Sequence, residues 1–261
     1  MEIKFHKYQG TGNDFLILDN RNGEYNNISH HDVKKLCDRK FGVGADGIML
    51  LNTKANYDFD MTYYNADGRE GSLCGNGGRC MIKFAWSNGI QKEQYIFTAA
   101  DGEHEAILDA EGIVSLKMRD VDTIGYHHND FVLNTGSPHF IRLSADVMHL
   151  DVYKKGREIR YSPEFEKEGI NVNFVEQLTE PDKIIVRTYE RGVENETLSC
   201  GTGVTAAALV CYHNENGFNE VEIKTPGGKL NVEFDRTAQG NFKNIWLCGA
   251  AEKVFEGVIT I

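Results

Sequence analysis

The chain is short of positive charge. Its 261 residues include 28 Lys and Arg against 39 Asp and Glu, a net charge of −11 at pH 7. That balance argues against nucleic acid or an anionic membrane as the main partner, because binding phosphates needs clustered cations. No stretch of about 18 apolar residues occurs, so no transmembrane helix is expected. Met1-Glu2-Ile3-Lys4-Phe5-His6 lacks the apolar centre of a secretory signal. Low-complexity tracts are absent. The six cysteines form no CxxC pair, and no histidine cluster accompanies Cys74 and Cys80. Neither a zinc site nor a disulfide scaffold is therefore read, and reduced thiols in a cytoplasmic protein are expected.

What is present is a globular composition, 41% hydrophobic and 26% charged, and a weak internal duplication. Thr11-Gly12-Asn13-Asp14-Phe15 recurs as Thr135-Gly136-Ser137-Pro138-His139-Phe140. Met61-Thr62-Tyr63-Tyr64 recurs as Val186-Arg187-Thr188-Tyr189. Leu73-Cys74-Gly75-Asn76-Gly77 recurs as Ser199-Cys200-Gly201-Thr202-Gly203, and Thr98-Ala99-Ala100-Asp101-Gly102 as Thr225-Pro226-Gly227-Gly228. Thr11 and Thr135 lie 124 apart, Tyr64 and Tyr189 lie 125, Cys74 and Cys200 lie 126, and Thr98 and Thr225 lie 127. Ordered anchors drifting one residue at a time indicate two homologous halves with small loop insertions, a period suited to two domains of one fold.

Each half reads as strands with two helices. Expected strands include Ile3 to Tyr8, Phe15 to Asp19, Ile48 to Asn52 and Phe59 to Asn65, with partners at Asn171 to Val175 and Ile184 to Tyr189. Ser29 caps a helix running to Phe41 and closed by Gly42. Further helices are read from the Cys74 segment to Ser87, near Ala145 to Lys155, and from Gly201 to about His213. The segment Val204-Thr205-Ala206-Ala207-Ala208-Leu209-Val210 is apolar nearly all round, so it wants burial on every side. The expected fold is α/β, with two pseudo-symmetric domains, each a curved sheet wrapped around a central helix. The halves are 1–118 with about 250–261, and about 119–249, the last strand returning to the first half.

Cys74 and Cys200 each stand between a strand and a helix, followed by Gly-X-Gly. Helix-start N–H groups and the helix dipole favour an anion there. An ordinary thiol is only a few per cent thiolate at pH 7, and a helix start contributes about 0.3–2 kcal/mol toward the anion. Two such units facing one substrate carboxylate supply a base for one face of Cα and an acid for the other, which inverts a stereocentre. A single Cys before Gly is ordinarily a small buried residue; two at matching repeat positions carry more weight. Cys37, Cys80, Cys211 and Cys248 lie in apolar surroundings and read as structural.

These residues resemble the diaminopimelate epimerase family, from Tyr8 to about Gly249. The likeness rests on Gly10 to Phe15, Phe41 to Gly47, Tyr64 to Gly68, Cys74 to Arg79, Tyr189 to Gly192 and Cys200 to Gly203, in that order. The resemblance implies two α/β domains with the site in the cleft between them. It also implies interconversion of LL- and meso-diaminopimelate, in lysine and peptidoglycan precursor synthesis, without pyridoxal phosphate or metal. By the same resemblance Cys74 and Cys200 are catalytic, and Gly75, Asn76, Gly201 and Thr202 bind the reacting carboxylate. Asn13, Asn65 and Asn171 match polar substrate-binding positions, Glu190 and Arg191 a binding pair, and His139 and Glu190 residues that tune the cysteines. The family resemblance also implies a homodimer. Two positions depart from the family pattern: Gly47, where Gln is frequent, and Ser137, where Asn is frequent.

Rival readings are a proline or hydroxyproline racemase, a phenazine-type isomerase, and a binding protein without turnover. A proline-type substrate leaves Glu190 and Arg191 without a purpose, and the phenazine-type branch need not keep both cysteines. Gly75-Asn76-Gly77-Gly78 lacks the Lys-Ser/Thr ending of a phosphate loop. A redox-regulated enzyme that joins Cys74 to Cys200 is a further expectation.

Overall fold

The structure, a computed structural model, describes residues 1–180 and 182–261. The chain forms two compact units, Met1–Leu116 with Gly249–Ile261, and Lys117–Cys248.

The first unit begins with strands β1 (Glu2–Gly10) and β2 (Asn13–Asp19) and helix α1 (His30–Cys37). Next come β3 (Gly47–Asn52), β4 (Asp60–Asn65), β5 (Glu70–Gly71) and α2 (Gly75–Ser87), then β6 (Gln94–Ala99), β7 (Gly102–Leu108) and β8 (Val114–Lys117). The second unit contains β9 (Gly125–His127), β10 (Asp130–Asn134), β11 (Pro138–Leu143), α3 (Val152–Arg160), β12 (Asn171–Gln177) and β13 (Lys183–Glu190). It ends with β14 (Asn195–Thr197), α4 (Gly201–Val210), β15 (Gly217–Thr225), β16 (Gly228–Arg236) and β17 (Phe242–Gly249), after which β18 (Glu252–Thr260) closes the chain.

The duplication read from four short anchors is visible in the strand pairing. In the first unit β1 pairs antiparallel with β18 and β2, β2 runs parallel to β3, and β4 is antiparallel to β3 and β5 and parallel to β6. In the second, β10 pairs antiparallel with β9 and β11, β11 runs parallel to β12, and β13 is antiparallel to β12 and β14 and parallel to β15. Each parallel step requires a crossover, and a helix lies in each: α1 and α2 in one unit, α3 and α4 in the other. The last strand, β18, pairs with β1 of the first unit.

The α2 and α4 helices are the centres. From Gly203 to Leu209 every residue of α4 is buried, and the helix touches β10 to β13, β15 and β16. Its small alanines let the sheet close around it, with Val221, Ile223, Val232, Phe234 and Leu247 in the same core. Helix α2 is buried from Gly75 to Ile82. The mixed α/β fold of two repeated, sheet-rich domains is therefore the one anticipated.

Two helices end differently from expectation. Helix α1 starts at a reciprocal capping box between Ser29 and Asp32 but stops at Cys37, where Asp38 turns extended. Val43 and Gly44 donate to the Leu36 carbonyl and Ala45 to that of Cys37. The loop thus takes the carbonyls that a longer helix needs, and Phe41 is left 82% exposed. The expected helix from Ala145 to Lys155 is instead a short turn at Val147–His149 followed by α3. Asp151 accepts from Lys154 N and starts a new helix there.

Truncating Leu209, fully buried on α4, is expected to cost about 2–5 kcal/mol. Urea unfolding of Leu209→Ala, followed by circular dichroism, measures it.

Candidate active site

The four α-helices among the described residues start in two ways. Ser29 and Asp151 cap α1 and α3 with side-chain oxygens, whereas Cys74 and Cys200, the N-cap residues of α2 and α4, make no side-chain cap. The first intrahelical bonds are Gly78 N to Cys74 O and Val204 N to Cys200 O. The N–H groups of Gly75 to Gly77 and of Gly201 to Gly203 precede them, and such groups suit an anion.

Glycine at the third position of each segment lets the helix start lie directly on the sheet. A Cβ at Gly77 would lie 3.1 Å from Met49 Sδ and 3.5 Å from Phe15 Cζ; at Gly203 it would lie 2.4 Å from Asn173 Oδ1 and 3.4 Å from Cys200 Sγ. The strand registers make these contacts equivalent. Ile48 pairs with Tyr64 and Val172 with Tyr189, the repeat partners, so Gly47 corresponds to Asn171, Met49 to Asn173 and Tyr63 to Thr188.

Beside Cys74 the hydrogen bonds form an ordered chain. The buried guanidinium of Arg79 donates to Asn76 Oδ1 (3.0 Å), Thr11 Oγ1 (3.5 Å) and the Gly75 carbonyl (3.3 Å). Asn76 Nδ2 donates to Asn13 Oδ1 (3.3 Å), which also accepts from the Cys74 thiol (3.5 Å). Asn13 Nδ2 donates to Asp46 Oδ2 (2.6 Å), and Arg39 bridges Asp46 and Asp14. Burial alone pushes the Asp14 carboxyl up, but Arg39 and Lys7 outweigh it and bring it down to about 2. Arg79 only donates and Asp46 accepts, so both amides have one orientation, and Asn13 turns its oxygen to Cys74. Asn65 lies exposed nearby, its amide donating to the Arg69 carbonyl (3.3 Å).

Beside Cys200 the polarity reverses. Thr188 Oγ1 donates to Asn173 Oδ1 (2.8 Å), leaving Asn173 Nδ2 to donate to the Phe140 carbonyl and to His139 Nδ1 (each 3.1 Å). Nδ1 is therefore an acceptor, and the neutral ring carries its proton on Nε2, which donates to Thr202 Oγ1 (2.9 Å). The Thr202 hydroxyl proton can then turn to Cys200 Sγ, 3.6 Å away. Burial, aided by the charge of Arg191, pushes His139 down to about 3, which keeps the ring neutral. Asn171 accepts from Arg191 N and donates to Ser137 Oγ (both 2.9 Å) and the Pro138 carbonyl. Arg191 itself donates to Ser137 Oγ (3.3 Å) and the Glu168 carbonyl, and Glu190 accepts from Thr197 (2.8 Å).

Within the first unit the structure thus gathers Asn13, Asn65, Cys74, Gly75 and Asn76 around one helix start. Within the second it gathers His139, Asn171, Glu190, Arg191, Cys200, Gly201 and Thr202. Sequence reasoning passed over Asn173 and Thr188. Their signal was a strand spacing of two, Asn173 from Asn171 and Thr188 from Glu190, which puts each pair on one face. It also passed over Arg79 and Asp46, which set the amides. None of the six cysteines is in a disulfide, and burial holds the Cys37, Cys80 and Cys211 thiols up at about 12.

Two outcomes follow. Iodoacetamide under native conditions is expected to modify Cys74 and Cys200 before the three suppressed thiols, because only the thiolate reacts; peptide mass mapping reads it. His139 is protonated more readily when unfolded, with an ordinary pKa of 6.5 against about 3 when folded. Its stabilising contribution is full above 6.5 and is lost as pH falls toward 3. Between pH 6 and 4 the native protein should lose about 1 kcal/mol per pH unit more than His139→Gln does, as read by urea unfolding at each pH.

Comparison with known proteins matches the sequence to one family. The family model described as diaminopimelate epimerase matches residues 5–123 and 131–254. Diaminopimelate epimerase of Flavobacterium psychrophilum is 46% identical over 258 residues, spanning 98% of this chain and 100% of that protein. The enzyme of the same name from Chlorobaculum tepidum is 42% identical, spanning 97% and 99%. Among solved structures, a Bacillus anthracis phenazine biosynthesis protein of the PhzF family superposes with a TM-score of 0.76 at 17% identity, covering 100% of both chains. A hydroxyproline epimerase from Agrobacterium vitis gives 0.68 at 11%, covering 99% of this chain and 92% of the other. These two likenesses are of fold.

Proposed function

The chain belongs to the diaminopimelate epimerase family, and from that premise we propose that it interconverts LL- and meso-diaminopimelate by proton transfer at Cα between two thiols, Cys74 and Cys200. The observation that carries this reading is the pair of cysteine helix starts without side-chain caps, at matching places in two repeats, each seated on its sheet through Gly77 or Gly203. In this mechanism one sulfur, as thiolate, takes the α-proton. The other, as thiol, delivers a proton to the opposite face, and the N–H groups of Gly75, Asn76, Gly201 and Thr202 hold the carboxylate as negative charge builds on it.

The hydrogen-bond polarities assign starting roles. Asn13 Oδ1 offers Cys74 an acceptor, which suits a thiol. The His139–Thr202 relay offers Cys200 a donor, which suits a thiolate. Asn13 and Asn65 contribute neutral polar contacts to the substrate. Asn171 holds Ser137 and the Arg191 backbone, Arg191 pairs with a substrate carboxylate, and Glu190 with an ammonium group. The product serves lysine and peptidoglycan precursor synthesis.

No helix among the described residues is long and apolar enough to cross a membrane. We place the enzyme in the cytoplasm, where thiols stay reduced. We propose that the enzyme is a homodimer.

The test is proton NMR in D2O with reduced enzyme and LL-diaminopimelate, with proline and lysine in parallel. The expected result is loss of the α-proton signal with appearance of the meso isomer. Epimerisation should fall by about a thousandfold or more in Cys74→Ala and in Cys200→Ala. Exchange with proline alone would move the protein to the racemase branch.

A further inference from the structure

The registers equate Gly47 with Asn171, yet Gly47 brings no side chain to the face where Asn171 brings an amide. The space above it is filled. A Cβ at Gly47 would lie 2.5 Å from Tyr63 Cε2 and 3.0 Å from the Tyr63 hydroxyl oxygen. The opposite edge of the same ring lies over Gly71, whose Cβ would meet Tyr63 Cδ1 at 2.8 Å and Cε1 at 2.9 Å. Tyr63 is therefore laid flat across two glycines on neighbouring strands, with Phe15 set edge-on at 6.0 Å. Glycine at both positions is what the ring requires.

The surroundings suggest a use for the hydroxyl. Tyr63 shares a strand face with Asn65, two residues on. Gly47, beneath its hydroxyl end, pairs across the sheet with Asn65 and Phe15, and Asn13 lies two residues before Phe15 on that same face. Phe15 in turn reaches Gly77, in the first turn after Cys74. The hydroxyl end thus lies on the face that carries Asn13 and Asn65, both proposed above to meet the substrate.

We infer that Tyr63 is a substrate-contacting residue, its hydroxyl hydrogen-bonding a charged group of the amino-acid zwitterion, in the place that the repeat gives to an amide. This rests on the epimerase reading. It assigns the first unit a specificity determinant built from three positions, Gly47, Tyr63 and Gly71.

Steady-state kinetics of Tyr63→Phe, which keeps the ring and removes the oxygen, provide the test. The expected result is a KM for diaminopimelate raised about tenfold or more with kcat within threefold of the native value. As a second measurement, 3-fluorotyrosine is placed at position 63 alone, and its fluorine NMR resonance should shift on adding saturating diaminopimelate. An unchanged KM in Tyr63→Phe, or a fluorine resonance that does not move, overturns the inference. Native enzyme run alongside separates the two levels: if it leaves the α-proton in place, the epimerase reading fails, whereas if it turns over while Tyr63→Phe matches it, only the role of Tyr63 fails.

Discussion

The arrangement depends on how closely a helix start is pressed onto a sheet. At Gly203 there is no room for even a methyl group, since Asn173 would be 2.4 Å from it; at Gly77 the clearance is 3.1 Å. That closeness puts each cysteine within reach of strand side chains and aims the first-turn N–H groups outward together with the sulfur. A methyl group at Gly203 would have to displace Asn173 or lift the helix, whereas at Gly77 it would need Met49 to give by a few tenths of an ångström. Gly-X-Gly after the cysteine is therefore a packing requirement first, and its chemical value follows from the packing.

The repeat supplies two copies of this device with different linings. Beneath Cys200 lie His139, Asn173 and Thr188, a buried polar relay in which each proton has one place to go. The matching positions beneath Cys74 hold Phe15, Met49 and Tyr63, and the polar control comes instead from the side, through Arg79, Asn76, Asn13 and Asp46. Buried polar networks are stable only when every member is satisfied. The network of the second unit runs through amides and hydroxyls, and that of the first through the full charges of Arg79, Asp46 and Arg39. In the two-thiol inversion proposed above, the sulfurs start each turnover in unlike states, and the divergent linings correspond to that difference.

Much of this was legible in the sequence because it depends on local chemistry. The Cys-Gly-X-Gly segments announce themselves, the apolar circumference of Val204 to Val210 implies a wrapped helix, and the drift of the four anchors reveals the duplication. What was not legible depends on partners distant in sequence. Helix α1 ends at Cys37 because residues 43 to 45 return to its carbonyls, which helical spacing through Phe41 does not show. Asp151 looks like any acid on a helix until its side chain is seen to cap Lys154 N. The ring of Tyr63 over Gly47 and Gly71 requires the register of three strands, and the tautomer of His139 requires knowing where Thr188 and Phe140 lie.

The pairing of β18 with β1 also bears on how the protein is made. Strand β1 leaves the ribosome before the whole second unit, and its partner β18 leaves after it. Domains ordinarily fold in the order in which they emerge, but here the entire second unit is synthesised before the first can be completed. The edge of β1 that β18 covers stays open until the second unit has been made, and that unit, contiguous from Lys117 to Cys248, is free to finish first. Assembly of the Cys74 half therefore waits on the Cys200 half, although it comes earlier in the chain.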